Sequence, residues 1–282
     1  MMERLQDCLR ALADLFFPRV CLVCGSRLGI HERHLCLSCA ADVPYTHFWR
    51  QPHNPMADRF NAVLERHRGT ERMAYAYAAA LMYYKGPYRS IPRALKYRDD
   101  LSAGRYYGML LGQRLAAAPQ FTDVDLVIPV PLHWTRRWSR GYNQAEILAR
   151  AICKAMSIPG GTSSGLPGMT SSAIPGQPRN RPEVRTDLLV RARRTRTQTR
   201  LSVEEKARNV ASAFRVPEPS GAKALASARH ILLVDDTFTT GATLYACYAA
   251  LRPHTSARIS IATLAVVEGT LSGAENSPSA GP

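Results

Sequence analysis

The spacing of apolar residues divides the chain into helical, extended and irregular stretches. Residues 3–17 place Leu5, Cys8, Leu9, Leu12 and Phe16 at three- and four-residue intervals, one face of an amphipathic helix that Pro18 ends. Residues 44–72, with Pro44, Pro52, Pro55 and scattered charge, read as a linker. Tyr75 to Tyr84 is rich in Tyr and Ala and predicts a strand, turned by Lys85-Gly86-Pro87. A helix follows through Ile91, Leu95 and Tyr97, and another runs from Leu101 to about Ala117 with Leu110, Leu111 and Leu115 on one face. The Lys96–Asp100 junction between them reads equally as a solvated turn or as part of a cleft.

Two short continuous apolar runs have the texture of strands buried on both faces. The first is Asp125 to Leu132, where Pro129 and Pro131 cannot donate to a ladder and so must turn the strand into loop before a helix from Ala145 to about Met156. The second is Ile231 to Val234, ended by Asp235 and Asp236, then a loop of small residues, Thr237 to Thr243, and a helix, Leu244 to Leu251. Arg258 to Val267 predicts a last strand, and Ala213 to Val216 a short one. Pro159 to Pro182 is dominated by Gly, Ser, Pro and Thr and cannot bury enough apolar surface to fold by itself, so it reads as a mobile loop. Ser202 followed by Glu205 is an N-cap signature, and the tail after Glu268 is small and polar. The expected layout is an N-terminal helix and cysteine unit at 1–50, a linker at 51–72, an α/β domain at 73–267 with an insertion at 159–182, and a disordered tail at 268–282.

Composition narrows the class. At 282 residues the chain holds one α/β domain of ordinary size and a small appendage, and a hydrophobic fraction of 46% rules out wholesale disorder. No run approaches the roughly 20 apolar residues of a membrane span, and Asp7, Arg10 and Asp14 interrupt the N-terminal apolar positions as no signal peptide would. A soluble, cytoplasmic protein without membrane insertion is expected. The formal charge of +15 favours polyanionic partners, whether nucleic acid or phosphorylated small molecules.

Among seven cysteines, Cys21-Leu-Val-Cys24 and Cys36-Leu-Ser-Cys39 stand eleven residues apart. Two such pairs suit tetrahedral zinc, each knuckle bending so that both thiolates reach one ion at about 2.3 Å, with Gly25 easing the turn. Four core cysteines or a redox dithiol are the alternatives. Four thiolates leave no open coordination position, so a metal held by Cys21, Cys24, Cys36 and Cys39 is structural.

The stretch Leu232-Leu-Val-Asp-Asp-Thr-Phe-Thr-Thr-Gly-Ala-Thr243 combines a strand, an acidic pair, a small loop and a helix start. Loop N–H groups and the helix N-terminus form a concavity suited to phosphate, Gly241 allows close approach, and the threonine hydroxyls add donors. The aspartates suit sugar hydroxyls or a divalent cation. No Gly-Lys-Ser/Thr follows, which excludes a Walker-type loop. The alternative is that these residues merely turn a strand into a capped helix. In the segment 133–144, Arg136, Arg137 and Arg140 lie beside Trp134 and Trp138, a set suited to phosphate and a stacked base, or else a basic helix start with its aromatics in the core.

Taken in order, these motifs resemble the ComF family, the competence-associated phosphoribosyltransferase-like proteins. The matching pieces are the two cysteine pairs, Leu95-Lys-Tyr, Val127-Ile-Pro-Val-Pro-Leu-His133, Arg140-Gly-Tyr-Asn-Gln-Ala145, Thr195-Arg-Thr-Gln-Thr-Arg-Leu201, Arg208-Asn-Val210 with Ala213-Phe214, and the acidic loop. Two departures are the Pro159–Pro182 insertion and Thr197, which stands where a proline is often expected. The resemblance implies a type I phosphoribosyltransferase-like parallel sheet with helices on both faces, plus a small N-terminal zinc ribbon in place of the hood over the acceptor. It implies that Asp235 and Asp236 contact the ribose hydroxyls of phosphoribosyl pyrophosphate (PRPP), assisted by Mg²⁺. Thr237, Thr239, Thr240, Gly241, Ala242 and Thr243 would take its 5′-phosphate side, and Arg136 or Arg140 its pyrophosphate. It further implies phosphoribosyl transfer to an acceptor, with no residue standing out as general base. The other reading it leaves open is a nucleic-acid accessory, a partner of single-stranded DNA or of DNA-uptake machinery, in which the PRPP site is regulatory.

Overall fold

The computed structural model describes residues 18–67, 74–97, 100–132, 141–158, 181–191, 213–217 and 220–271. A five-stranded parallel sheet organises them. It comprises β1 (Ala78–Tyr83), β2 (Leu126–Pro129), β3 (Glu183–Val184), β6 (His230–Phe238) and β7 (Arg258–Val266), in the order β1-β7-β6-β2-β3. A two-stranded antiparallel ribbon, β4 (Val190–Arg191) with β5 (Phe214–Arg215), lies apart from it.

The inner strands are apolar at successive positions because both faces are covered. Ile231 and Leu233 of β6 enter one core with Ala78 and Ala80 of β1, while Leu232 and Val234 enter the other with Ala79 and Leu81. The first core is covered by α2 (Pro55–His67) and α7 (Ala242–Leu251). The second is covered by α3 (Ser90–Tyr97), α4 (Leu101–Ala116) and α5 (Gln144–Met156). A short α1 (Leu37–Ala41) belongs to the cysteine unit, and α6 (Ser220–Ser227) precedes β6.

Two expectations are corrected. Residues 51–72, read as a linker, contain α2, whose Met56, Ala57, Phe60 and Leu64 are buried. Pro55 starts that helix rather than breaking the chain. The buried Asn54 side chain accepts from Met56 N (3.1 Å) and Ala57 N (3.0 Å), and donates to the Ala78 carbonyl at 3.0 Å, fastening the helix start to β1. The second correction concerns β6, which does not stop at its carboxylates. The ladder to β7 continues through Asp235 opposite Thr263 to Phe238 opposite Val266, because β7 is equally long. The loop is correspondingly shorter, and Ala242 already belongs to α7.

Several expected features lie outside the described residues. They are the helix at 3–17, the arginine–tryptophan segment 133–140, nearly all of the 159–182 insertion, the basic run beyond Arg191, the helix start at Ser202 and the tail beyond Leu271.

Candidate functional site

The site arises from a mismatch in strand length. β2 pairs with β6 only from Leu126–Ile231 to Pro129–Val234, with one further bond from Val130 N to the Val234 carbonyl at 2.8 Å. Pro131, without an N–H, cannot continue the ladder, so β2 does not pair with Asp235 to Phe238. The helices complete the gap. α5, which follows β2, covers one face of the sheet, whereas α7, which follows β6, covers the other. The point where neighbouring parallel strands send their helices to opposite faces leaves a crevice at the carboxyl ends of the strands.

A cavity of about 480 Å³ occupies this crevice. Asp235, Asp236, Thr237, Thr239, Thr243 and Lys96 line it. Thr240 and Gly241 sit in the adjoining turn, where the Thr240 hydroxyl accepts from the N–H of Ala242, the first residue of α7, at 3.4 Å. Gly241 has φ +80°, a left-handed conformation that glycine takes without strain, and its carbonyl accepts from Tyr245 N to open α7. The N-terminal end of α7 therefore points its backbone dipole toward the cavity rim.

The floor is acidic. Asp236 N donates to Asp235 Oδ1 at 2.8 Å, and the Thr237 hydroxyl donates to Asp236 Oδ2 at 3.3 Å. Enclosure by protein, together with the neighbouring Asp236 charge, pushes the Asp235 carboxyl well above the usual carboxylate range. Lys96 donates to Asp236 Oδ2 as an ion pair inside the cavity. Behind the floor lies Cys247 of α7, fully buried, its thiol held protonated by burial and then by the Asp235 charge.

Several residues absent from the expected site line the same cavity. Lys96 resolves the ambiguous junction in favour of the cleft. Arg191 arrives from β4, with its guanidinium 5.3 Å from the Phe214 ring centre. Asn143 lines the wall while capping α5 through Ala145 N (3.1 Å) and donating to the Val130 carbonyl (3.0 Å). Its N-cap signature before an apolar helix was the available signal. Tyr84, at the rim, accepts from Arg93 Nε at 3.2 Å. Arg136 and Arg140 fall outside the described residues.

A second cluster lies in the N-terminal unit. The sulfurs of Cys21, Cys24, Cys36 and Cys39 all stand within 4.8 Å of one another, with Cys24 and Cys36 3.7 Å apart. Thiolates 2.3 Å from one tetrahedral ion stand about 3.8 Å apart, so the four cysteines fit a metal such as zinc. Gly25, at φ +76°, makes the expected tight turn, and Gly25 N donates to the Cys21 carbonyl at 2.9 Å. The Ser26 hydroxyl, 2.9 Å from Cys24 Sγ, lowers that thiol to about 6. The unit is docked on the main domain. His34 lies against the rings of Tyr106 and Tyr107, Leu22 and Val23 pack on the second core, and the Tyr88 hydroxyl donates to the Cys39 carbonyl at 3.0 Å.

Among the described residues no helix is long and apolar enough to cross a membrane. No family model matches the chain. Competence protein F of Haemophilus influenzae is 25% identical over 235 residues, covering 81% of this chain and 89% of its own length. DNA utilization protein YhgH of Escherichia coli K12 is 25% identical over 228 residues, 80% of each chain, and its namesake from Salmonella typhi is 25% identical over 164 residues. Over about four-fifths of its length the chain is thus similar to competence protein F and to the DNA utilization protein.

Proposed function

We propose that the chain binds PRPP with Mg²⁺ in the cavity at the end of β6 and transfers its phosphoribosyl group to an acceptor. One observation carries the reading: an adjacent acidic pair and a threonine–glycine turn that opens a helix meet in a single cavity of about 480 Å³ at a sheet crevice. A ribose 5-phosphate carries hydroxyls for the carboxylates and an anion for the turn. The donor set fits both, and a magnesium ion is held in such sites by one or two carboxylates together with substrate phosphates. On this reading the sheet is of the type I phosphoribosyltransferase kind.

The residues then have distinct tasks. Asp235 and Asp236 hold the ribose 2′- and 3′-hydroxyls. Thr239, Thr240 and Thr243, with the Gly241 and Ala242 backbone, hold the 5′-phosphate at the α7 N-terminus. Arg136 and Arg140, which follow β2 in the sequence, would take the pyrophosphate. Magnesium held by the Asp235 and Asp236 carboxylates with the substrate phosphates would supply positive charge against the departing pyrophosphate, and the carboxylates would stabilise the positive charge that develops on the ribose. Zinc held by the four cysteines fixes the N-terminal unit beside α3 and α4 and takes no part in the chemistry.

On this reading the activity serves competence and DNA utilization, the processes for which the relatives are named, and it takes place in the cytoplasm. The formal charge of +15 favours a second reading, in which the chain handles single-stranded DNA and PRPP binding is regulatory.

Calorimetric titration of the zinc-loaded protein with PRPP and magnesium, beside the Asp235→Asn/Asp236→Asn double variant, tests the first reading. Saturable binding that the variant loses supports it, and absence of binding by the folded wild type rejects it. Release of pyrophosphate on adding an acceptor separates transfer from regulation. DNA binding that falls steeply with salt and survives the double substitution favours the second reading.

A further inference from the structure

The Lys96–Asp236 pair has a consequence for how the cavity is loaded. Lys96 belongs to the last turn of α3, whose backbone is fixed there. The Leu95 side chain is 2% exposed in the core, and the Tyr142 hydroxyl donates to the Leu95 carbonyl. The Lys96 side chain beyond carries its ammonium on a four-carbon stem with several rotatable bonds, and it is 30% exposed against 14% for Asp236. Its ammonium thus sits on the open side of the carboxylate, at Asp236 Oδ2, where the Thr237 hydroxyl also donates.

A lysine at this place blocks the acidic pair. An ammonium cannot coordinate a metal, and a divalent cation arriving at Asp236 meets both an occupied oxygen and a like charge at close range. Once the cation takes the carboxylate, the ammonium requires another anion within reach of its stem. A diphosphate that bridges the same cation supplies one.

We propose that Lys96 is a displaceable counter-ion. It neutralises Asp236 in the unliganded protein, yields that carboxylate to a divalent cation carried by a diphosphate, and then holds the diphosphate itself. The inference rests on reading the cavity as a site for magnesium with PRPP, and it makes Lys96 a positioning residue for the leaving group. It also explains why the cavity would take the cation together with the phosphorylated ligand rather than the cation alone. Neutralisation of the floor by Lys96 keeps the empty site from collecting free metal.

The test titrates the full-length, zinc-loaded protein with Mn²⁺ alone and, separately, with magnesium and inorganic pyrophosphate. Wild type, Lys96→Met and Lys96→Arg are compared, with melting temperatures to check folding. Lys96→Met is expected to bind Mn²⁺ alone about tenfold more tightly and magnesium pyrophosphate about tenfold more weakly, shifts of opposite sign of about 1.4 kcal/mol each. Lys96→Arg is expected to restore pyrophosphate binding, since a guanidinium also grips phosphate. A purely structural ion pair gives a lower melting temperature with no opposed shifts, and that result overturns the proposal. Weakening of both probes together, or no response of either, also overturns it. Failure of wild type to bind PRPP while the two probes respond to Lys96→Met as stated rejects the PRPP reading and leaves the counter-ion role standing.

Discussion

Gly112 of α4 lies directly against the Ile152 backbone of α5, so close that a Cβ built on the glycine would stand 2.6 Å from the Ile152 carbonyl oxygen and 2.8 Å from its Cα. Gly108, one turn earlier, makes a similar approach to Ala151 and Leu148. These contacts set the distance between the two helices that wall the second core. A Cβ at Gly112 meets backbone, which cannot step aside. Gly112→Ala is therefore expected to destabilise by about 1–3 kcal/mol despite alanine's better helix propensity. Gly104→Ala meets side chains rather than backbone, with Ile147 Cγ2 at 3.0 Å and Leu95 Cδ2 at 3.4 Å, and is expected to cost less than Gly112→Ala. Urea midpoints at constant slope check both.

The same seam marks the boundary of what the sequence makes legible. Leu110, Leu111 and Leu115 announce an amphipathic helix, but nothing local says that the glycines among them touch a partner. β2, β6 and β7 are readable because strands buried on both faces carry runs of successive apolar residues. The Asp-Asp-Thr-Phe-Thr-Thr-Gly stretch is readable because strand end, turn and helix start are consecutive in the chain. Lys96 is not, since its meeting with Asp236 depends on how α3 lies across the sheet. Asn54-Pro55 could have been read as a cap and first helical residue, but the surrounding prolines and charges favoured a linker. The length of β6 beyond its carboxylates depends on β7, a partner that no local pattern reveals.

The cysteine unit depends on few contacts of its own. Leu22 N bonds the His34 carbonyl (2.9 Å), Leu28 N bonds the Arg19 carbonyl (2.9 Å), and Glu32 accepts from Gly29 N and Leu37 N. Structural zinc contributes on the order of 10 kcal/mol of apparent folding free energy in units of this kind. The protein is expected to carry one zinc per chain by elemental analysis, and to lose it on Cys36→Ser. Chelation should remove hydrogen-exchange protection at Leu22 and Leu28 while β6 amides remain protected. Protection retained at Leu22 after chelation would show that packing on α4, rather than metal, holds the unit.

Asp235 is expected to cost the protein stability. Its enclosure and the adjacent Asp236 raise its folded pKa above the unfolded value. A carboxyl shifted this way binds its proton more tightly in the folded state. Its contribution to stability is thus fully present below the ordinary aspartate pKa of about 3.9 and is lost as pH rises through the raised folded value. Asp235→Asn removes the ionisable group and its repulsion from Asp236. The variant is expected to melt on the order of 2–4 °C higher at neutral pH, the shift that about 1 kcal/mol produces in a domain of this size. It should also lose PRPP binding. Thermal scans at several pH values, run beside the titration, check both; the gain should vanish below about pH 4.

At the opposite end of the sheet, His230 joins Asp123 and Ser260. Its Nδ1 lies 2.6 Å from Asp123 Oδ1 and its Nε2 2.8 Å from the Ser260 hydroxyl, whose oxygen accepts from Tyr77 N (3.2 Å). The order of groups mimics a nucleophilic triad, but Ser260 is fully buried and no substrate can reach it. The network instead ties the entries of β1, β6 and β7 together. Ser260→Ala leaves His230 Nε2 and Tyr77 N without their partner and is expected to cost about 1–3 kcal/mol, with ligand binding unchanged. The His230 hydrogen bond, foremost among several causes, holds Asp123 below the usual aspartate range. Its stabilisation is therefore present above the ordinary aspartate pKa and lost as pH falls through the lowered folded value. Asp123→Asn should thus be less stable than wild type at neutral pH, with the difference closing as the medium is acidified. Urea unfolding from pH 7 downward measures it, and a difference that persists undiminished in acid would assign the network's strength to packing rather than to the charge on Asp123.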